Sequence, residues 1–125
     1  MTQSTFTAFS FLLFFLTACS TQKPYYNYGE YEQDYYTFKK ESSQASMLQL
    51  QQSMEKAIEE KQNSIAKRVP PGMYANLGYL YLKQGKTKKA KENFLKEKQI
   101  YPEASRFMDT LIRKIEITQE KENEQ

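Results

Sequence analysis

PPGMYANLGYLYLKQGKTKKAKENFLKEKQIYP, residues 70–102, reads as two amphipathic helices joined by a short turn, with proline at both ends. Tyr74, Leu77, Gly78 and Tyr81 are offset by three, one and three, so they share one stripe of a helix with 3.6 residues per turn. Gln84-Gly85-Lys86 interrupts that pattern, and Thr87 is a suitable N-cap for the second helix. The second helix turns Ala90 and Phe94 inward, four residues apart. Pro102 stops it and fits the first turn of a further helix.

In register, these residues are similar to the tetratricopeptide repeat, W-x2-L-G-x2-Y, then A-x3-F, then P. Tyr74 stands where the repeat has Trp; Leu77, Gly78, Tyr81, Ala90, Phe94 and Pro102 keep their places. The small residues Gly78 and Ala90 let two antiparallel helices approach closely. The resemblance implies a hairpin that binds partners and does not catalyse. It also implies a concave face lined from the first helix, here Ala75, Tyr79, Leu82 and Lys83. Glu97 departs from the pattern, since the repeat has a small apolar residue there. A carboxylate at that place is expected to loosen the packing of the second helix on a following repeat.

The chain of 125 residues has room for one small domain, with a net charge of +3 from interleaved Lys, Arg and Glu. That mild balance argues against nucleic acid as a partner. There is no His, which removes the usual general base and the commonest metal ligand together, and the single Cys forms no internal disulfide. No metal site, no cofactor and no enzymatic activity are therefore expected.

Residues 9–16, FSFLLFFL, form an apolar run too short to cross a bilayer but of the length of a signal-peptide core. Leu16-Thr17-Ala18-Cys19 comes next and resembles the lipobox of bacterial lipoproteins. The resemblance implies cleavage between Ala18 and Cys19 and acylation of Cys19, a covalent lipid being the one prosthetic group expected. Ser20 stands where Asp would signal inner-membrane retention, so the resemblance favours an outer-membrane anchor, with the domain facing the periplasm. Several acyl chains hold a protein stably at a bilayer.

Six of the ten tyrosines fall between Lys23 and Phe38. Tyr28, Tyr31, Tyr35 and Phe38 are spaced three, four and three, forming a helical aromatic stripe, and Gly29 sets the helix start near Glu30. Either this stripe packs on the hairpin, or some of the rings face a protein or glycan. Tyr25, Tyr26 and Tyr36 lie off the stripe and are the candidates for contact.

Glu41-Ser42-Ser43 breaks and caps the chain, and Gln44–Lys67 then runs without Gly or Pro. Met47, Leu50, Met54, Ala57, Ile58 and Ile65 mark its apolar stripe. This helix is either a packed element, as the second helix of a degenerate preceding repeat would be, or a partner-binding one. Beyond Pro102, Glu103–Ile117 places Ala104, Phe107, Met108, Leu111, Ile112 and Ile115 on one face that covers the open side of the hairpin. Lys83, Lys86, Lys88, Lys89, Lys91, Lys96 and Lys98 give the hairpin a basic rim, either a solvated face or a site for anionic lipid or an acidic surface.

Taken together, Tyr28, Gly29, Tyr31, Pro70, Pro71, Gly72, Gly78, Tyr79, Leu80, Gly85, Phe94, Glu97, Lys98, Pro102, Glu103, Phe107, Met108 and Leu111 resemble a family of small bacterial lipoproteins of unknown function (DUF4810-like). Members of that family are typically encoded beside a lipoprotein resembling the curli secretion channel (CsgG-like). The resemblance implies an accessory role in an envelope assembly, with such a lipoprotein as partner. It also implies that Glu97, which fits that family, is a specific feature and not a degenerate repeat position. The expected architecture is all-α: a signal peptide over residues 1–18, a lipidated tether over 19–27, a helical domain over 28–117 and a disordered tail over 118–125. The expected function is a non-enzymatic, outer-membrane-anchored adaptor. The competing expectation is a peptidoglycan or glycan binder using the tyrosine stretch.

Overall fold

The structure, a computed structural model, describes residues 22–123. The segment read as a signal peptide, the expected cleavage point at Ala18 and Cys19 itself lie outside the described residues. Among the described residues, five helices, α1 (Tyr31–Glu41), α2 (Gln44–Glu59), α3 (Met73–Lys83), α4 (Thr87–Ile100) and α5 (Ser105–Asn123), occur in that order. Short 3-10 turns occur at Glu60–Asn63 and Pro102–Ala104, and no strand occurs among the described residues. The fold is all-α, with a tetratricopeptide-like hairpin (α3 and α4) flanked by α1 and α2 on one side and α5 on the other.

Local chemistry sets each boundary. Ser42 adopts a left-handed conformation (φ 50°) and ends α1. Ser43 then caps α2: its hydroxyl accepts the Ser46 amide at 3.1 Å, and the Ser46 hydroxyl accepts the Ser43 amide at 3.2 Å. The second helix of the hairpin starts at Thr87 with Lys86 as cap residue, so Thr87 lies inside α4. Its hydroxyl accepts instead from Gln119 of α5, at 3.0 Å.

The hairpin core follows the spacing read from the sequence. Ala90 and Phe94 are fully buried, and Leu77, Leu80 and Tyr81 close around them. A Cβ on Gly78 would lie 2.7 Å from Phe94 Cε1 and 3.1 Å from the Ala90 carbonyl oxygen, so only glycine permits this approach. Each large side chain so buried contributes about 1.5–3 kcal/mol of transfer free energy.

Glu97 has a specific role, as the family resemblance implies, and is not the loosened contact that the repeat pattern alone suggests. It is 2% exposed, and its carboxylate accepts the Gly72 amide at 2.7 Å and the Ala75 amide at 3.2 Å. The first amides of a helix have no partner within it, and α3 has no side-chain cap of its own. A carboxylate from α4 thus takes that place and clamps the two helices together. It does not loosen α4 from α5, because Lys91 pairs with Glu116 and Lys98 with Asp109 across the seam between them.

Four expectations are corrected. The helix read as Gln44–Lys67 ends at Glu59 and its 3-10 turn, because Ser64 diverts the chain: its hydroxyl donates to the Lys61 carbonyl at 2.7 Å and accepts the Lys67 amide at 3.1 Å. Ile65, read as part of that helix's apolar stripe, lies beyond the helix and is 59% exposed. Phe107 is 63% exposed, because α5 buries the face carrying Met108 and Ile115. The polar stretch read as a tail continues α5 to Asn123, held at Gln119, and the final two residues lie outside the described ones.

The tether read over 19–27 is also part of the domain from Pro24 onward. The carbonyls of Pro24 and Tyr25 accept the amides of Ile65 and Ala66, each at 3.0 Å, and Asn27 donates to the Glu60 carbonyl at 3.2 Å.

Candidate functional site

The stripe Tyr28, Tyr31 and Phe38 packs against the hydrophobic core, whereas Tyr35 is 42% exposed. Its ring belongs to a chain of tyrosines running along the edge of the domain. Centroids are separated by 4.9 Å from Tyr25 to Tyr26, 6.5 Å to Tyr28, 6.2 Å to Tyr31 and 5.8 Å to Tyr35. Asn76 of α3 donates to the Tyr31 hydroxyl at 3.0 Å and so joins α1 to α3. Burial raises the Tyr31 phenol above its ordinary pKa, keeping it neutral.

Beside this joint, α1 and α3 leave a cleft of about 230 Å³. Leu50 and Met54 of α2 and Leu80 of α3 form its buried floor, and Phe38, Tyr35 and Tyr79 supply its walls. Two lysines stand at the rim. Lys39 Nζ lies 5.7 Å from the centre of the Tyr35 ring and Lys83 Nζ 5.3 Å from that of Tyr79. The same Tyr-x-x-x-Lys spacing thus builds both walls, since residues four apart share a helix face. The cleft offers an apolar floor, two aromatic walls and two cations.

Of the residues read as a concave face, Tyr79 and Lys83 line this cleft; Ala75 and Leu82 pack partly buried against the core. Leu82 is half-buried and does not line the cleft. Tyr25 and Tyr36 are 63% and 65% exposed but do not line the cleft, and Tyr26 is engaged by Arg68. Arg68 donates to the Tyr26 hydroxyl, holding that phenol below its usual pKa, and lies 5.0 Å from the Tyr101 ring centre. In the sequence Tyr35 is legible only as a member of the aromatic stripe, and Lys39 and Asn76 are not singled out. The repeated Tyr-x-x-x-Lys of Tyr35/Lys39 and Tyr79/Lys83 is the signal that finds them.

The lysines of the basic rim make contacts within the domain, while Lys83, Lys86, Lys88, Lys89 and Lys96 stay exposed. Lys86 and Lys89 lie over the Tyr81 ring, Lys96 over Tyr74 and Lys83 over Tyr79, while Lys91 and Lys98 are ion-paired. Tyr81 itself donates to Glu55 of α2 at 2.6 Å, and burial with that bond pushes its pKa up to about 12. Among the described residues, no group of three or more His, Cys, Asp or Glu is placed to hold a metal, and no helix is long and apolar enough to cross a membrane.

The family described as Domain of unknown function (DUF4810) matches residues 25–111, and the chain belongs to that family. The match takes in every residue of the cleft and the Glu97 clamp. No curated protein and no solved structure matches the chain.

Proposed function

We propose that this DUF4810 protein is a non-enzymatic lipoprotein that holds a protein partner at the outer membrane, as an accessory subunit of an envelope assembly. The observation that carries this reading is the cleft between α1 and α3, walled by Tyr35 and Tyr79 and rimmed by Lys39 and Lys83. Its volume of about 230 Å³ falls below that of ordinary small-molecule sites and suits one or two side chains. An apolar residue flanked by Asp or Glu complements both floor and rim. Tyrosine is well suited to such contact, having large apolar area and few rotatable bonds.

The lipobox around Cys19 supports the membrane placement, with the domain facing the periplasm. The chain has no His to serve as general base, which supports a binding role. The resemblance to proteins encoded beside a CsgG-like lipoprotein makes such a subunit the first partner to test. The glycan-binding alternative needs the exposed tyrosines to share a platform, yet Tyr25 lies against the 64–68 turn and Tyr36 sits on α1.

Affinity purification from detergent-solubilised envelopes tests the proposal. One envelope protein should be recovered with the native chain and lost with Tyr35→Ala/Tyr79→Ala. Recovery of abundant porins alone contradicts the adaptor reading. Co-sedimentation with purified peptidoglycan would support the glycan reading in its place.

A further inference from the structure

The chain leaves Cys19 and is fixed to the domain five residues later, where the Pro24 and Tyr25 carbonyls bind the Ile65 and Ala66 amides. Five residues reach at most about 17 Å even when fully extended. The 16-residue helix α2 is longer than that, at roughly 24 Å. A lipid on Cys19 would therefore keep the end of the domain bearing the 64–68 turn close to the bilayer.

The surface at that end has an unusual composition. Tyr25 and Ile65 are 63% and 59% exposed, and Lys23, Lys67 and Arg68, close to them in the chain, are exposed as well. Ile65 is held outward by an ordered turn, not by disorder: its own amide is bonded to Pro24, and Ser64 fixes the amide of Lys67, whose φ is 51°. Glu103, which acts on Tyr26 electrostatically, and Glu60, whose carbonyl accepts from Asn27, are carboxylates on this side and offset part of the charge. An exposed aromatic, an exposed aliphatic and flanking cations are the combination that settles in a phospholipid headgroup layer.

We propose that the face formed by Tyr25, Ile65 and Lys67 docks on the headgroup layer of the leaflet that holds the Cys19 lipid. The inference rests on the lipid-anchor reading. It fixes how the domain stands. α1 and α3 carry Lys39 and Lys83 in their last turns, so the docking would hold these two lysines of the cleft at the ends of the helices away from the bilayer.

The chain has no Trp, so a single introduced Trp reports its own position. Ile65→Trp and, separately, Tyr25→Trp would be prepared in the full-length lipidated protein and reconstituted into phosphatidylethanolamine/phosphatidylglycerol vesicles, with and without brominated acyl chains. Docking within the headgroup boundary predicts a blue-shifted emission and about two-fold quenching by bromine at both positions. Leu48→Trp, an exposed site near the start of α2 at the opposite end, should show neither change. Unquenched fluorescence at positions 25 and 65, or equal quenching at 48, overturns the docking. Lipid on Cys19 is measured by mass on the same preparations. Lipid present without quenching sinks the docking alone, whereas lipid absent sinks the anchor reading and the docking with it.

Discussion

Glu97 of α4 accepts the Gly72 amide at 2.7 Å, so the second helix of the hairpin caps the first across a sequence distance of 25 residues. Gly72 has φ 80°, a conformation that suits glycine, and it presents that amide at the turn into α3. The carboxylate is buried but not isolated, since it also accepts the Ala75 amide. Removing it leaves two amides without a partner. Glu97→Ala should therefore lower stability by about 2–3 kcal/mol and Glu97→Gln by less, read as the shift in urea midpoint by far-UV circular dichroism. An unchanged midpoint in Glu97→Ala would show that water replaces the clamp at no cost.

Gly78 and Phe94 set the closeness of the hairpin. Gly78→Ala would place a methyl 2.7 Å from the Phe94 ring and 3.1 Å from a backbone oxygen, and the second contact cannot swing away. The expected loss is about 1–3 kcal/mol despite the better helix propensity of Ala. Combined with Phe94→Leu, the loss should be less than additive, because the smaller side chain vacates part of the space. Strict additivity in the double mutant would mean that the two sites do not touch.

Tyr81 links stability to alkaline pH. Its pKa is raised to about 12 in the fold, so the folded state keeps a proton that the unfolded chain releases near 10. The contribution is fully present below pH 10 and is lost as pH rises toward 12. Tyr81→Phe removes the bond to Glu55, costs roughly 1 kcal/mol at neutral pH, and should flatten the fall in melting temperature between pH 10 and 12. An alkaline slope identical to that of the native chain would remove Tyr81 from the linkage.

Cys19 has its own test. Cys19→Ser should abolish incorporation of labelled palmitate and move the protein from the membrane fraction to the soluble periplasmic fraction. Membrane association that survives the substitution would show that something other than an acyl chain holds the protein.

The hairpin was legible because close packing demands particular residue sizes: Gly78, Ala90 and Phe94 fit one geometry. Two features were hidden for a physical reason. Glu97 departs from the repeat, and the family resemblance marks it as a feature without saying what it does, because its partners are backbone amides, which every residue but proline carries and no spacing reveals. Ile65 fell on a helical stripe, and the side chain that diverts the chain before it, Ser64, is a weak signal in sequence. The cleft was half legible, through Tyr79 and Lys83. Its second wall required knowing that α1 lies beside α3, a long-range pairing that local periodicity does not encode.

The most direct measurement is site-specific cross-linking in intact envelopes, with a photoreactive phenylalanine analogue at position 79. Leu95, 48% exposed on α4, serves as the control position. The adaptor account predicts one discrete adduct with a single envelope protein at position 79, absent at 95 and lost when Tyr35→Ala is added. No adduct at position 79, or the same adducts at 79 and 95, would contradict it.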